Sequence, residues 1–303
     1  MGEIATVFIV GGSGFVGSNL SNFFAGLGYK VTVLGLSGRY DGLPAGTRYI
    51  KADARYQGTW MNELSEHDIV VNLAGATIAK RWTKKWKNEI YTSRILTTRN
   101  VVNALSGSRC KVLFNASAVG YYGNGGERQL TEDDPPGKDF LSKVCIDWEN
   151  EALKAEQKGV RVIITRFAVV LGAKGGALRR MAPAFKAGLG GILGSGKQWF
   201  PWIHIHDLCR IYQFALEENL NGVVNCCSPY PVRNEAFVKT LARVLGRPCI
   251  FRIPAFALKA VFGEMGDSLL VSQKCVPHKL LRSGFKFSWP SLDKALAEIA
   301  RLC

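Results

Sequence analysis

The sequence has no apolar run approaching the roughly eighteen residues that a membrane-spanning helix needs, and a strand-like segment starts by Ala5. The expectation is therefore a cytoplasmic protein with no signal peptide and no membrane partner. Eight cysteines include no C-x-x-C, and the one adjacent pair, Cys226 and Cys227, sits in an apolar strand-like run. Neither a structural zinc site nor a disulfide framework is indicated. Histidine is scarce, four in all, and only His204 and His206 have a spacing that turns two imidazoles to one side of a strand. No metal site is expected. What remains is 303 residues, 47% hydrophobic and 21% charged, an ordinary folding composition that can bury one large core or two modest ones.

A net charge of +15 calls for a partner. The densest patch is KRWTKKWK, Lys80 to Lys87, where five cations interleave with Trp82 and Trp86. This is the pattern of a nucleic-acid groove, but equally of a solvated helix start whose tryptophans pack inward. No nucleic-acid-binding motif accompanies it, so an anionic cofactor or substrate is the better explanation.

Apolar, β-rich runs at 5–11, 29–35, 47–53, 68–75, 110–118 and 160–167 alternate with segments of helical period. Their continuous apolar character is that of strands covered on both faces, which predicts an α/β, doubly wound parallel sheet, a Rossmann fold. Past residue 170 glycine becomes frequent, then come a short strand WIHI, a helix from Asp207, which Asp207 would cap, the strand VVNCC and mostly helices. The expected layout is a dinucleotide-binding domain over 1–228, with a substrate-side insertion at about 173–203. A small, mainly helical C-terminal domain would cover 229–303.

The first strand runs into GGSGFVG, where Gly11, Gly14 and Gly17 form G-x-x-G-x-x-G ahead of a helix. The first glycine permits the tight turn, the second lets backbone approach a pyrophosphate, and the third lets helix and strand pack closely. Phe15 and Val16, opening the helix, join them as cofactor-binding candidates. NAD sites usually place a carboxylate about twenty positions on. Here the second strand ends in LGLSGR and no carboxylate appears before Asp41. Ser37 and Arg39 suit a 2′-phosphate instead, and a charge-assisted bond of roughly 1.5–3 kcal/mol favours NADP(H) over NAD(H). Asp53, ending the third strand, is a candidate for the adenine edge or an ordinary turn residue.

Taken together, GGSGFVG, NLAG at Asn72 to Gly75 and SAVGYYG at Ser117 to Gly123 resemble an extended short-chain dehydrogenase/reductase of the sugar-nucleotide-epimerase type. More narrowly, DWE at Asp147 to Glu149, VLGAKGGAL at Val170 to Leu178, GSGKQWFPWIHIHDL at Gly194 to Leu208 and PAFALKAVFGEMGD at Pro254 to Asp267 resemble its atypical, epimerase-like subfamily. The resemblance covers nearly the whole chain and implies NADP(H) in a Rossmann domain with a small C-terminal domain closing over it. It implies no particular substrate.

In ordinary members a serine after the fifth strand polarises the substrate carbonyl, and a Tyr-x-x-x-Lys on the next helix supplies acid–base chemistry. Ser117 takes the serine position. Registering KDFLSKVCIDWE on Glu149 puts Leu141 where the tyrosine belongs and Cys145 where the lysine belongs. Lys143 lies two positions off, about 200° round the helix. The dyad is absent, and Tyr121 is the candidate replacement, with substrate stacking or loop packing as its other readings; Tyr122 is expected to pack. Ala74 and Gly75 would let the cofactor pass over the fourth strand. Arg94 would hold a phosphate or pair with Glu89. Lys174, Trp202 and His204 are substrate-side candidates, with core packing the alternative for Trp199 and Trp202 and a satisfied polar role the alternative for His204.

Two readings stand: an NADP(H)-dependent oxidoreductase or epimerase acting on a small carbonyl or hydroxyl substrate, or an NADPH-binding redox sensor or scaffold without turnover. A homodimer through the helices flanking strands four and five is open by analogy with the fold alone.

Overall fold

Valine, isoleucine and phenylalanine crowd the N-terminal runs, and in the computed structural model, which describes residues 5–37, 42–173 and 175–302, each run becomes a strand. β1 (Thr6–Val10), β2 (Lys30–Gly35), β3 (Arg48–Lys51), β4 (Ile69–Asn72), β5 (Val112–Ala118), β6 (Arg161–Phe167) and β7 (Gly222–Cys226) form one sheet in the order β7-β6-β5-β4-β1-β2-β3. Every neighbouring pair is parallel, with Val7 opposite Val31 and Phe114 opposite Ile163. The alternation of side chains sends Val7, Ile9 and Phe114 to one face and Phe8, Val10 and Leu113 to the other, all fully buried.

Two helical layers explain that burial. α1 (Phe15–Gly26) lays Leu20 and Phe24 on the first face, where Leu208, Ile211 and Tyr212 join them from the helix Ile205–Glu217. α2 (Lys84–Ala104) and α3 (Phe140–Leu153) cover the second face with Val101, Val102 and Ala152. Thr83 starts α2, its hydroxyl accepting from the Trp86 N–H at 3.1 Å. Strand order reverses between β1 and β4, so the crevice in which such folds bind ligands lies over their carboxyl ends.

Beyond β6, α4 (Gly176–Lys186), α5 (Ile205–Glu217), α6 (Asn234–Val244) and α7 (Leu292–Arg301) follow. A separate core gathers Leu171, Leu178 and Trp202 with Phe237, Leu241 and Leu296. The substrate-side body is thus assembled from the glycine-rich insertion and the C-terminal helices together. Part of the C-terminal region returns to the sheet, because Cys275 pairs with Leu130 and both Leu280 and Phe285 enter the first core.

The start of α5 departs from expectation. It begins at Ile205, and its cap is His204, whose Nδ1 accepts from the His206 N–H at 3.2 Å. Asp207 is not the cap: it lies fully buried in the first turn and accepts the backbone N–H groups of Ser288 and Trp289, both at 2.8 Å. Its carboxylate does longer-range work, tying the C-terminal segment to α5.

Gly17 packs so closely that a Cβ there would fall 2.5 Å from the Gly11 carbonyl oxygen and 2.5 Å from the Gly12 Cα. Both are backbone atoms, so Gly17→Ala should cost about 1–3 kcal/mol, measured by urea denaturation. At Gly14 the added Cβ meets only the Gly11 oxygen, at 3.3 Å, and Gly14→Ala should leave the midpoint nearly unchanged.

Candidate active site

The crevice opens with the glycine loop. Gly11 has φ +79°, the left-handed conformation that its turn demands, and its backbone abuts that of Leu73 and Ala74 at the end of β4. Gly14 is exposed at the mouth of α1, which has no side-chain cap and no acidic residue in its first turn. The helix therefore presents the backbone N–H groups of Phe15 and Val16 to an anion. The Phe15 ring is used differently: it fills the space that side chains at Gly172, Gly175 and Gly176 would take. It seals the substrate-side loop onto the cofactor loop, while Val16 packs on the first core.

At the end of β2, Ser37 is exposed and its carbonyl oxygen accepts the Tyr49 hydroxyl; Arg39 lies outside the described residues. The Asp53 carboxylate is engaged by Arg55, which donates to Oδ1 and Oδ2 through Nε, at 3.0 Å each, and to Oδ2 through Nη2 at 2.6 Å. Those hydrogen bonds hold the carboxyl below its usual pKa against the opposing effect of burial.

At the end of β4, Arg94 does not pair with Glu89. Glu89 pairs with Arg55, at 2.9 Å. Arg94 donates through Nη1 to the carbonyl oxygens of Ala76 and Ile90, at 3.1 and 3.0 Å, and lies 5.1 Å from the Trp148 ring centroid. Its guanidinium fills the space beside Gly75, where a Cβ would stand 2.9 Å from Cζ. No carboxylate among the described residues pairs with it, and burial lowers its pKa from the ordinary arginine value. An uncompensated cation thus sits under the strand end that a dinucleotide crosses.

The end of β5 holds the largest surprise. Ser117 is buried, and its hydroxyl donates to Glu149 Oε1 at 2.5 Å. Glu149 accepts a bidentate pair from Arg166, Nε to Oε1 at 2.9 Å and Nη2 to Oε2 at 2.8 Å. Burial opposes the charge on Arg166, but the bonds and charge of Glu149 outweigh it and raise its pKa. Arg166 Nη1 also donates to the Tyr122 hydroxyl at 2.9 Å, and that hydroxyl donates to Asn225 Oδ1 at 2.7 Å. Burial pushes Tyr122 well above the usual phenol range, so it stays protonated and structural. Where the sequence reading aims Ser117 at a substrate carbonyl, a neighbouring carboxylate here turns its hydroxyl inward.

The helix face that would carry the dyad carries the residues read from the sequence. Leu141 packs toward Gly120, and the buried Cys145 thiol points to the Ala118 carbonyl oxygen at 3.7 Å. Burial pushes that thiol up to about 11, so it is neither base nor nucleophile near neutrality. Tyr121 is different. It is half-buried in the turn after β5, its ring lies with the centroid 3.4 Å from the Arg166 guanidinium carbon, and its hydroxyl takes no hydrogen bond from a described residue.

On the substrate side, Lys174 lies outside the described residues. Trp202 is 1% exposed within the third core, so the expectation of a substrate contact is corrected to packing. His204 is likewise interior: Nδ1 caps α5 and Nε2 meets Glu298 Oε2 at 3.0 Å, which leaves no ring nitrogen for a substrate. Trp199 has its ring flanked by Arg233 at 3.8 Å and Lys274 at 4.8 Å. Among the described residues no cluster of His, Cys, Asp or Glu could hold a metal, and no helix is long and apolar enough to cross a membrane.

Two groups escaped the sequence reading. Asn72 and Asn115, opposite each other on β4 and β5, join through a 2.8 Å bond, and Thr98 bonds both Asn72 and the Trp148 indole at 2.8 Å. Their signal was a polar residue closing each of two apolar runs, VVN and LFN. Arg166 was the other, a cation near the carboxyl end of the apolar strand VRVIITRF.

A model of the NAD dependent epimerase/dehydratase family matches residues 7–227, and one of a domain of unknown function, DUF1731, matches 253–299. An epimerase family protein of Mycobacterium bovis is 39% identical over 295 residues, 96% of either chain. The chloroplastic SDR39U1 homologue of Arabidopsis thaliana is 39% identical over 300 residues, 97% of this chain and 86% of that one. The human epimerase family protein SDR39U1, isoform 2, solved with NADPH, superposes with a TM-score of 0.86 at 33% identity, covering 98% of this chain and 99% of that one.

Two measurements follow from this geometry. Glu149→Gln leaves a buried guanidinium without its counter-charge and should cost about 3–5 kcal/mol, against about 1 kcal/mol for Ser117→Ala, by denaturant unfolding. Burial also lowers the pKa values of His67 and His204 from 6.5. A depressed imidazole takes its proton more readily in the unfolded chain, so its contribution is complete above 6.5 and lost as the pH falls below it. The melting temperature should decline below pH 6.5 before carboxylates titrate, and His67→Gln and His204→Gln should each flatten the slope.

Proposed function

Because the chain belongs to the NAD dependent epimerase/dehydratase family, we propose that it binds NADP(H) across the ends of β1 and β4. There it would catalyse hydride exchange with a small carbonyl or hydroxyl substrate. The binding part rests on the open glycine cradle, the uncompensated Arg94 guanidinium and the absence of a carboxylate between Gly35 and Tyr40. The human relative solved with NADPH supports the phosphorylated cofactor. Phe15 and Val16 hold the pyrophosphate through backbone N–H groups, Ser37 and Arg39 take the 2′-phosphate, and Ala74 and Gly75 leave room for the chain of the cofactor. Arg94 provides, from α2, the cation that a dyad lysine would have provided from α3.

The observation that carries the chemistry is Tyr121 on Arg166. When bound, the nicotinamide supplies or receives the hydride. Tyr121 gives or takes the accompanying proton at its hydroxyl, which has no hydrogen-bond partner among the described residues. Arg166 holds the ring in place, Glu149 holds Arg166, and Ser117 completes the acceptor shell of Glu149. In this reading Ser117 is a positioning residue.

A sensor or scaffold without turnover is the second reading, favoured by Leu141 and Cys145 on the dyad face. Thermal-shift titration and stopped-flow mixing with a carbonyl panel separate the two. Selective stabilisation by NADPH over NADH is expected, with Arg94→Ala weakening it roughly ten- to a hundredfold and Arg94→Lys recovering part. Tyr121→Phe should keep NADPH affinity and lose about a hundredfold or more in hydride transfer. NADPH binding with no transfer to any carbonyl would leave the sensor reading.

A further inference from the structure

The sheet and glycine loop leave most of the +15 charge without a role. They also leave the helix Ala255–Phe262 unexplained: its sequence AFALKAVF is apolar at seven of eight positions, yet only Leu258 is buried. Phe256 is 76% and Val261 62% exposed. The strand before it pairs in parallel with Gly191–Leu193, Phe251 opposite Gly191. That pairing brings Leu189, 62% exposed, and Ile250, 75% exposed, to the same end of the ribbon. Helices such as Ile205–Glu217 and Leu292–Arg301 bury an apolar stripe; this one presents it to water.

The basic segment adjoins that helix. Arg81 Nη1 donates to the carbonyl oxygens of Ala260 and Val261, at 3.0 and 3.3 Å, and Lys87 pairs with Glu264. Lys84 and Lys85 are exposed, without an ion-pair partner among the described residues. They open a helix of 21 residues that has no acid in its first turn. Cations at a helix N-terminus oppose the macrodipole, so this placement costs stability unless an external anion meets them. The aromatic residues between them are not offered to bases: the Trp82 and Trp86 indoles donate to the carbonyl oxygens of Ile78 and Thr77, at 2.8 and 3.0 Å, and Lys80 Nζ lies 4.0 Å from the Trp86 ring centroid.

We propose that the helix Ala255–Phe262, with the cations of Lys80 to Lys87 beside it, is a docking surface for an anionic phospholipid bilayer. An apolar helix lying in the interface plane buries its side chains at the acyl boundary, while neighbouring lysines meet the headgroup charge. This is a peripheral contact, and it revises the sequence expectation of no membrane partner without calling for a spanning helix. It is independent of the catalytic reading.

The test is flotation of the full chain with vesicles of phosphatidylcholine alone, and of phosphatidylcholine with phosphatidylglycerol in equal amounts. Binding is expected to the anionic vesicles and to be at least roughly tenfold weaker on the neutral ones. Phe256→Ser with Val261→Ser, and separately Lys84→Glu with Lys85→Glu, should each reduce binding by a similar factor while circular dichroism stays unchanged; the melting temperature should hold for the first pair and hold or rise for the second, which relieves the clash with the macrodipole. Any of the following would overturn it: no flotation with either vesicle, flotation that both double variants retain, or a dimer that Phe256→Ser with Val261→Ser disperses in the absence of lipid binding. Salt-sensitive capture of a single-stranded oligonucleotide in place of vesicles would also overturn it and return the lysines to a nucleic acid.

Discussion

The ion pair between Arg166 and Glu149 is the constraint on which the site depends. Its side chains are 3% and 7% exposed, and two charges withdrawn so far from water survive only with complete hydrogen bonding. The structure meets that demand by recruiting its surroundings. Ser117 from β5 completes one carboxylate oxygen, Arg166 Nη1 donates to the Glu132 carbonyl oxygen and to Tyr122, which passes the bond to Asn225 on β7, and Tyr121 covers the guanidinium face. Arg166 stands opposite Ser117 in the β5–β6 register, so the pair is bolted across the carboxyl ends of three strands and to α3.

That contact also explains why the site departs from the arrangement its family resemblance implies. In the expected arrangement a serine faces the substrate while tyrosine and lysine project from the next helix. Here the same helix turn brings Glu149 against β5, and the carboxylate captures Ser117. With Leu141 and Cys145 on the remaining face, α3 has nothing to offer a proton. The groups left at the crevice are a tyrosine stacked on the buried arginine and a second arginine with no counter-charge among the described residues.

Much of the fold was legible in the sequence because parallel strands buried on both faces announce themselves as unbroken apolar runs. The six expected strands fall within a residue or two of β1 to β6, except that β4 stops three residues before its run does. The glycine loop was legible for a similar reason, since each glycine answers a local steric need: a positive φ at Gly11, open space at Gly14, contact with backbone at Gly17. Site roles set by tertiary contact were less legible. Trp202 and His204 look like cleft residues in WIHI, and only the C-terminal helices, folding back onto them from nearly a hundred positions away, make them interior. Ser117 carries no mark in the sequence of the carboxylate 32 positions on that turns it inward. KRWTKKWK shows its charge but not the apolar helix from residue 255 that lies beside it.

The chemistry rests on Tyr121 being held at the crevice while Ser117 is held away from it. A crystal structure with NADP bound tests that most directly. The account predicts that Ser117 stays on Glu149, that Arg94 contacts the cofactor beside Gly75, and that the Tyr121 hydroxyl faces the nicotinamide side of the crevice within reach of a substrate oxygen. A structure in which Ser117 has left Glu149 to face the nicotinamide, or in which Tyr121 turns away from it, would contradict the account.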